Sequence, residues 1–320
     1  MFKLPKLKDL NVSEKRVLLR LDLDTEPDPN DLRIRSSFDT LNYLKSKNAQ
    51  IVIIAHRGRP EGKFKESLSL APFQKIFNKW GAKVEENLRF NLGEEGNDGK
   101  FASDLASKAE VYVNEAFGAS HREHASIISL PKLLPHAAGL RFEKEVENLN
   151  KLLENPPRPF ITLLSGVKKD KLDYLEGLKG LSDKVLIGGR LPDYLGDNTV
   201  SIRTIDSNEK VMMANLIMDK EDITVHSIER FEKEISQAKT ILVCGPLGKF
   251  EEEGHRQGTE KILRKITETE AFKVAGGGDT LKAIDFLNLE DKFDWLSMGG
   301  GAMLEFLTKG TLPGINALLN

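Results

Sequence analysis

Glycine-rich turns in the second half of the chain are the residues whose type and spacing most clearly indicate chemistry. Four such turns follow short apolar runs, and they contain Gly188, Gly189, Gly245, Pro246, Gly276, Gly277, Gly278, Gly299, Gly300 and Gly301. Backbone N–H groups and the positive end of a helix dipole at such turns suit phosphate oxygens. Tight packing of a strand against a helix explains any single turn equally well, but four turns in one half favour an oligophosphate ligand. The patterns G-x-G-x-x-G and G-x-x-x-x-G-K-[ST] are both missing from the sequence, which argues against a nicotinamide fold and a P-loop.

Two polar residues, Asp279 and Thr280, follow the third turn at the point where a helical pattern begins. Either side chain could cap the helix, which is the commoner use of these residue types. The Asp279 carboxylate could instead hold Mg²⁺ bound to phosphates, because magnesium takes one or two carboxylates together with substrate oxygens. The neighbouring glycines favour the magnesium interpretation.

Arginines are concentrated in the first half, where nine of the fifteen fall within residues 1–141. They cluster with histidines after successive apolar runs, in the segments LRLDLDTE, DLRIRSS, AHRGRP and FGASHREH. Guanidinium groups match the geometry of carboxylate and phosphate oxygens, so Arg33, Arg59 and Arg122 are expected to converge on a small anion. Two half-sites of this kind suggest a transfer between them, with closure of the two halves excluding water.

Alternating strands and helices must position these residues. Apolar, β-branched runs at 16–23, 50–56 and 110–117 predict strands in the first half. Six further runs predict strands in the second half: FITLLSG, KVLIGG, ITVHS, TILVCG, AFKVAGG and WLSMGG. This alternation predicts an α/β fold of two doubly wound parallel sheets, each covered by helices on both faces.

A helix is predicted to join the two halves. The segment RFEKEVENLNKLLE places Phe142, Val146, Leu149 and Leu153 on one helical face, and NPPRP ends that helix because proline cannot continue it. We therefore predict an interdomain helix and hinge over 142–158. The first domain covers 1–141 and the second covers 159–310.

Composition restricts the class of partner and the compartment. The net charge of −2 gives no reason to expect nucleic acid or a membrane surface as a partner. A single cysteine cannot form an internal disulfide bond, which favours a reducing compartment. The sequence contains neither a secretory signal nor an apolar run of the ~18–20 residues that a membrane span requires. A cytoplasmic monomer that binds small molecules is expected.

The segments above resemble, in the right order and over almost the whole chain, the motifs of the phosphoglycerate kinase family. The resembling segments of the first half are RLDLDTEP, LRIRSS, AHRGRP, ENLRF and NEAFGASHREHAS. Those of the second half are RPFITLLSGVKKDKL, VCGPLGKFE, AGGGDT and SMGGGAMLEFL. The ending LPGINAL is similar to a tail that packs on the first domain in the family, so residues 311–320 are assigned to that domain.

The resemblance implies two Rossmann-like domains that catalyse a glycolytic and gluconeogenic reaction. ADP and 1,3-bisphosphoglycerate would give ATP and 3-phosphoglycerate, reversibly and with Mg²⁺. The residues that match triose-phosphate positions in the first domain are Asp22, Asp24, Arg33, His56, Arg59, Arg89 and Arg122. The residues that match positions at the transferred phosphoryl group are Arg33, Lys168, Lys171, Gly278 and Gly301. The residues that match nucleotide positions are Lys168, Lys171, Gly188, Gly189, Arg190, Gly245, Pro246, Gly276, Gly277, Gly278, Thr280, Gly299 and Gly300. Glu251 matches the ribose contact, and Asp279 matches the metal ligand.

Several residues depart from the family's pattern. Asp24 replaces an asparagine, Cys244 replaces another, Arg57 replaces an apolar residue, and Ser165 and Arg190 replace glycines. Compared with the family's pattern, one residue is missing between Lys168 and Lys171. This spacing predicts that the two lysines lie three positions apart on one face of a helix. The second domain is also reduced, and the missing part, between positions 195 and 240, corresponds to a wall of the adenine pocket. Nucleotide preference therefore stays open.

Two other functions are kept as alternatives. A non-catalytic relative that binds triose phosphate or nucleotide would explain the altered adenine side, although retention of Arg33, Lys168, Lys171 and Asp279 argues against it. A kinase for another small carboxylic acid would explain Asp24 and the arginine at position 57.

Overall fold

Two parallel sheets form the frame of the protein, as seen in a computed structural model that describes residues 3–196 and 210–320. The strands of the first sheet are β1 (Arg16–Arg20), β2 (Gln50–Ile54), β3 (Lys83–Val84), β4 (Val111–Asn114) and β5 (His136–Ala138). The strands of the second sheet are β6 (Phe160–Leu164), β7 (Lys184–Ile187), β8 (Val211–Met213), β9 (Thr240–Cys244), β10 (Phe272–Gly276) and β11 (Trp295–Ser297).

Helices connect these strands. They are α1 (Leu32–Ser36), α2 (Phe38–Ser46), α3 (Gln74–Phe77), α4 (Leu92–Glu95), α5 (Gly99–Ala106), α6 (Leu140–Leu153), α7 (Leu175–Leu181), α8 (Leu191–Tyr194), α9 (Val225–Ile235), α10 (Gln257–Thr267), α11 (Gly278–Phe286), α12 (Gly300–Lys309) and α13 (Pro313–Leu319). Short 3₁₀ helices occupy several of the loops, among them Lys169–Tyr174 after β6 and Glu253–His255 after β9.

The first sheet has the strand order β3-β2-β1-β4-β5, with every pairing parallel. Its central strands are buried on both faces, which is why they contain continuous apolar runs such as VLL in β1. Their side chains pack with those of α2 and of the short helices at 71–80 in one hydrophobic core.

The second sheet has the order β11-β10-β9-β6-β7-β8, and its strand pairs are also parallel. All five residues of β6 and of β9 are buried. Apolar faces of α9, α10 and α11 pack on this sheet. The predicted α/β fold with two parallel sheets is therefore confirmed.

The chain divides into two compact units. The first unit contains residues 1–147 and 311–320, and the second contains 148–310, so the division falls within α6. The C-terminal helix α13 belongs to the first unit, where the Gly314 N–H donates to the Ser120 carbonyl at 2.8 Å. The role of 142–158 as a hinge stays a prediction.

One predicted strand is wrong. The segment ITVHS makes only an isolated bridge, between Leu216 and Ile223, and the helix α9 begins at Val225 because the Thr224 side chain caps it. The strand in this part of the sheet is β8, whose three residues are too few for a periodic signal. The other predicted strands form, although each ends one to three residues earlier than its predicted run.

Candidate active site

In the first unit, His56 lies at the centre of a basic cluster beyond the carboxyl ends of β1 and β2. Its ring is buried, with Arg20 Nη2 2.9 Å from Nδ1 and Arg122 Nη1 3.0 Å from Nε2. Burial lowers the pKa of His56 well below its ordinary value, and the charges of Arg20, Arg89, Arg122 and His124 lower it further. The ring is therefore neutral at physiological pH.

The neutral ring cannot satisfy both arginines. An uncharged imidazole has one acceptor nitrogen and one N–H group, so only one of the two guanidinium groups can donate to it. Arg20 is held in place, because its Nε donates to Ser126 Oγ (2.9 Å) and its Nη1 donates to the Leu21 carbonyl (2.5 Å). The mismatch of two donors therefore falls between His56 and Arg122. An anion that accepts from both would remove it.

The buried carboxylate of Glu94 pairs with the guanidinium of Arg20. Glu94 Oε1 lies 3.8 Å from Arg20 Nη2, and Glu94 also accepts from the N–H (3.0 Å) and the hydroxyl (2.6 Å) of Ser126. Burial by itself would raise the pKa of Glu94, but the bonds and charges of His124, Arg20 and Ser126 lower it overall. The ionised Glu94 thus holds Arg20, which in turn orients His56.

Arg33 reaches the cluster from α1. Its Nη1 donates to the Asp24 carbonyl at 3.0 Å and lies 3.4 Å from Asp22 Oδ1. The helix α1 is capped at its start by Asp31, which accepts from the Arg33 N–H at 2.8 Å. The cap fixes the backbone of Arg33, while its side chain stays partly exposed.

Arg89 and Arg59 extend the cluster. Arg89 is buried, donates to the Gly58 carbonyl at 2.6 Å and pairs with Glu95 at 3.2 Å. Burial lowers the pKa of Arg89 and of Arg122, and neighbouring arginines add to the effect, while nearby carboxylates partly oppose it. Arg59 is exposed, and its charge acts on Arg122. So many cations at close range favour a shared anionic ligand.

Two departures from the family's pattern have structural roles here. Asp24 Oδ1 accepts from the Gly58 N–H at 2.8 Å, a bond that an asparagine oxygen could accept equally well. Arg57 does not join the cluster, since its guanidinium pairs with Glu26 at 2.6 Å and donates to the Ser67 carbonyl at 3.0 Å. These contacts remove the reason to infer a different acid substrate from Arg57.

In the second unit, the glycine turns pack backbone against backbone. A Cβ atom on Gly189 would lie 2.5 Å from the Gly166 nitrogen, and one on Gly300 would lie 2.6 Å from Gly277 Cα. Side chains at three more turn positions would meet Leu247, the Ser165 carbonyl and Met303, and these positions are Gly188, Gly245 and Gly276. Close packing therefore explains these glycines directly, so they do not by themselves establish a phosphate ligand.

Two helices begin side by side at these turns. The N-cap of α11 is Gly277 and that of α12 is Gly299, and neither supplies a side-chain cap. Asp279 is exposed in the first turn of α11 and makes no hydrogen bond or ion pair within the described residues, so the capping interpretation finds no contact here. Thr280 is buried, donates to the Gly276 carbonyl and accepts from a neighbouring turn's N–H, both at 2.8 Å.

The two lysines do not share a helical face, so that prediction is wrong. Lys168 is exposed and has extended backbone, with φ −88° and ψ 116°, and the 3₁₀ helix Lys169–Tyr174 begins only after it. Gly166, at φ 108°, turns the chain at the end of β6 before this extended stretch. Lys171 lies in the 3₁₀ helix, and its Nζ donates to the Ser165 carbonyl at 2.6 Å.

Two further departures from the family's pattern, Ser165 and Cys244, lie at the neighbouring ends of β6 and β9. Ser165 is buried and its hydroxyl donates to the Pro246 carbonyl at 2.7 Å, which joins the turns after β6 and β9. Cys244 is also buried, and burial raises the pKa of its thiol, so it stays protonated. Its carbonyl accepts from Lys171 Nζ at 3.3 Å.

The predicted nucleoside contacts lie on the same unit. Glu251 is exposed, and its carbonyl accepts from Arg256 Nη2 at 3.4 Å. Arg190 is engaged by two carboxylates, with Glu221 3.4 Å from Nη1 and Asp193 3.5 Å from Nη2. Residues 197–209, within the segment where loss of a pocket wall is predicted, lie outside the described residues.

Asp279 fits a magnesium ion that obtains most of its ligands elsewhere. Among residues 3–196 and 210–320, no group of three or more His, Cys, Asp or Glu side chains is arranged to hold a metal. A single exposed carboxylate beside the N-termini of α11 and α12 suits Mg²⁺ that shares nucleotide phosphate oxygens.

Within residues 3–196 and 210–320, no helix is long and apolar enough to cross a membrane.

Comparison with known proteins decides the family. The sequence profile described as phosphoglycerate kinase matches residues 7–85, 82–222 and 193–310. The chain belongs to the phosphoglycerate kinase family. Phosphoglycerate kinases similar to it include those of Finegoldia magna, 33% identical over 389 aligned residues, and Dictyoglomus turgidum, 36% identical over 387. These alignments cover 98% of this chain and 98% and 97% of the two relatives.

Solved phosphoglycerate kinase structures agree. That of Coxiella burnetii has a TM-score of 0.80 at 28% identity, and each chain covers 99% of the other. That of Pyrococcus horikoshii OT3 has a TM-score of 0.82 at 23% identity with 98% coverage of both, which shows the shared fold. The predicted family and enzyme class, a phosphotransferase, are confirmed, and nothing favours a non-catalytic relative or a kinase for another acid.

The family's phosphoglycerate kinases also carry residues that this chain lacks. The alignments of 389 and 387 positions are longer than the chain, which has 320 residues.

Sequence reasoning missed the buried support of the first unit. Glu94, Ser126 and Tyr112, whose hydroxyl donates to the Ser126 carbonyl at 2.7 Å, form this support together with Arg20. One signal was present: an arginine inside the apolar run VLLRLDL needs a buried partner. The identity of that partner, 74 positions away, has no local signature.

Proposed function

We propose that this chain catalyses reversible phosphoryl transfer between 1,3-bisphosphoglycerate with ADP and 3-phosphoglycerate with ATP, in glycolysis and gluconeogenesis in the cytoplasm. The observation that carries the proposal is the arginine cluster around a neutral, buried His56, in a chain of the phosphoglycerate kinase family. Such a cluster suits a small acid with both carboxylate and phosphate oxygens.

In the first unit, the chain's own residues bind and orient the triose. Arg59, Arg89 and Arg122 attract its anionic groups, and the His56 ring donates its remaining N–H. Arg33 stabilises charge on the phosphoryl group in flight, because phosphoryl transfer depends on positioning and charge neutralisation more than on covalent chemistry. Its partial exposure agrees with that role.

In the second unit, the residues hold the nucleotide. Lys168 and Lys171 neutralise its phosphates. The N–H groups in the first turns of α11 and α12, among them those of Gly278 and Gly301, donate to phosphate oxygens. Glu251 binds the ribose. Asp279 would hold Mg²⁺ that enters with the nucleotide, and the ion would supply positive charge to the phosphates.

Closure about the 142–158 segment is proposed as the step that completes the site. Water competes with the acceptor for a reactive phosphoryl group, so transfer requires that water be excluded. The two sets of residues belong to different compact units, which supports a mechanism in which closure precedes transfer.

The test is a coupled assay of ADP formation with ATP and 3-phosphoglycerate, with a panel of other nucleoside triphosphates and small carboxylic acids. Turnover that requires 3-phosphoglycerate is expected. Arg122→Ala should raise the KM for 3-phosphoglycerate at least tenfold, whereas Arg16→Ala, at the opposite end of β1, should leave it unchanged. Binding without turnover, or turnover with another acid alone, would refute the proposal.

A further inference from the structure

One histidine joins two loops of the second unit that flank the predicted ribose contact. His255 ends the short 3₁₀ helix Glu253–His255 after β9, and its ring lies between two carboxylates. Nε2 is 3.0 Å from Asp219 Oδ2, and Nδ1 is 2.9 Å from Glu252 Oε2. The side chain is 23% exposed.

The protonation state of His255 determines whether both bonds exist. A neutral imidazole has one N–H and donates to one carboxylate, whereas the imidazolium donates to both. Both acceptors are anionic, so the charged ring makes two charge-assisted bonds. The Asp219 bond reaches across 36 positions of the chain, and the Glu252 bond is local.

These bonds bear on the turn that carries Glu251. The Lys249 N–H donates to the Glu221 carbonyl at 2.9 Å, so the turn already lies against the loop that contains Asp219. The adjacent Arg256 donates to the Phe250 carbonyl at 2.7 Å and to the Glu251 carbonyl at 3.4 Å. The backbone of Glu251 is thus held on one side by Arg256 and on the other through its neighbours.

We propose that His255 is a positioning residue for nucleotide binding: its bonds to Asp219 and Glu252 hold the turn that presents Glu251, and nucleotide affinity falls when the ring loses its proton. The inference rests on the proposed function of Glu251 as the ribose contact. His255 itself touches no reacting atom.

The surrounding charges support a protonated ring. The bonds to Asp219 and Glu252 raise the pKa of His255, and the charges of the same two carboxylates add to the effect. Lys249 pairs with Glu252, Asp222 lies close enough to feel the His255 charge, and Arg256 turns toward Phe250 and Phe286. Because the pKa of His255 is raised, both hydrogen bonds are present at low pH, and one of them is lost as pH rises through the raised pKa.

The test compares the wild type with His255→Gln and with His226→Gln, an exposed histidine on α9 that serves as the matched control. ADP affinity is measured by calorimetry from pH 6 to 9, with inorganic tripolyphosphate as a probe that has no ribose. His255→Gln should weaken ADP binding about threefold to tenfold at pH 6, the range for two charge-assisted bonds near the surface. The ratio of the ADP affinity of His255→Gln to that of the wild type should approach one at high pH. The affinity of His255→Gln for tripolyphosphate and the ADP affinity of the His226→Gln control should equal those of the wild type.

Asp219→Asn is the second variant, in case His255→Gln does not fold. It removes one carboxylate, so the wild-type fall in ADP affinity should move to lower pH. A constant ratio at every pH, or equal losses for ADP and tripolyphosphate, would overturn the positioning role. A wild type that binds ADP with the expected pH dependence but does not phosphorylate 3-phosphoglycerate would support His255 and contradict the proposed function instead.

Discussion

At the scale of single residues, the first unit orders its side chains from the inside outward. Glu94 fixes Arg20, Arg20 fixes His56, and His56 faces Arg122 at the partly exposed edge. A neutral ring between two cations is an unusual balance, which burial and charge together maintain. The outermost arginines are therefore the ones available to a ligand.

Arg33→Ala is expected to remove most turnover without unfolding the protein. A guanidinium placed at the transferred phosphoryl group is worth ~10³–10⁵ in rate, and the α1 cap at Asp31 does not depend on the side chain that is lost. Steady-state kinetics, with circular dichroism to verify folding, measure the effect. Unchanged turnover in folded Arg33→Ala protein would refute the role of Arg33.

Asp279→Ala should weaken nucleotide binding much more with Mg²⁺ than without it. A metal ligand matters only when the metal is bound, whereas a helix cap would matter in both conditions. Asp279 makes no hydrogen bond or ion pair within the described residues, so little structural loss is expected. Calorimetric titrations of ADP with and without Mg²⁺ decide between the roles, and equal losses would restore the capping interpretation.

At the scale of elements, the glycine turns determine how closely neighbouring strand–helix connections approach. Gly300 begins α12 directly against Gly277, which precedes α11. The two helix N-termini can lie side by side only because neither turn has a side chain at the contact. Packing and ligand binding therefore make the same demand on these residues.

Gly300→Ala should lower the free energy of unfolding by about 1–3 kcal/mol, the usual cost of overpacking, because its Cβ would lie 2.6 Å from backbone. The matched control is Gly180→Ala in α7, where a Cβ meets nothing within 4 Å. That change should stabilise by about 0.4–1 kcal/mol, since alanine has the smaller unfolded-state entropy. Urea denaturation measures both, and equal effects would contradict the packing account.

Glu115 joins β4 to the start of α6 and should make stability depend on pH. The buried carboxylate accepts from the Phe142 N–H at 3.0 Å and the Arg141 N–H at 3.2 Å, and burial raises its pKa to about 7. The unfolded chain ionises this group at lower pH, so its contribution to stability is lost as pH rises toward about 7. Glu115→Gln should lessen this loss, which is up to about 3 kcal/mol. Urea titrations at pH 5 and pH 8 compare the two proteins, and parallel behaviour would refute the assignment.

At the scale of the whole molecule, each compact unit carries one half of the proposed site. The proposed mechanism therefore predicts closure of the units when both substrates are bound. Small-angle scattering should show a smaller radius of gyration when a nucleotide and 3-phosphoglycerate are added together than when either is added alone. An identical profile in all conditions would count against transfer by closure.

The amino-acid sequence by itself determined the family, the two parallel sheets, the long helix α6 and the glycine turns between strands and helices. These follow from apolar periodicity and from motifs of a few consecutive residues, which are local properties. Local pattern failed at β8, at ITVHS and at Lys168, where three-residue strands, a threonine cap and an extended loop decide the outcome. Only the tertiary structure brought Arg20 to Glu94 and His255 to Asp219, because such pairs depend on which distant loops and helices the fold places side by side.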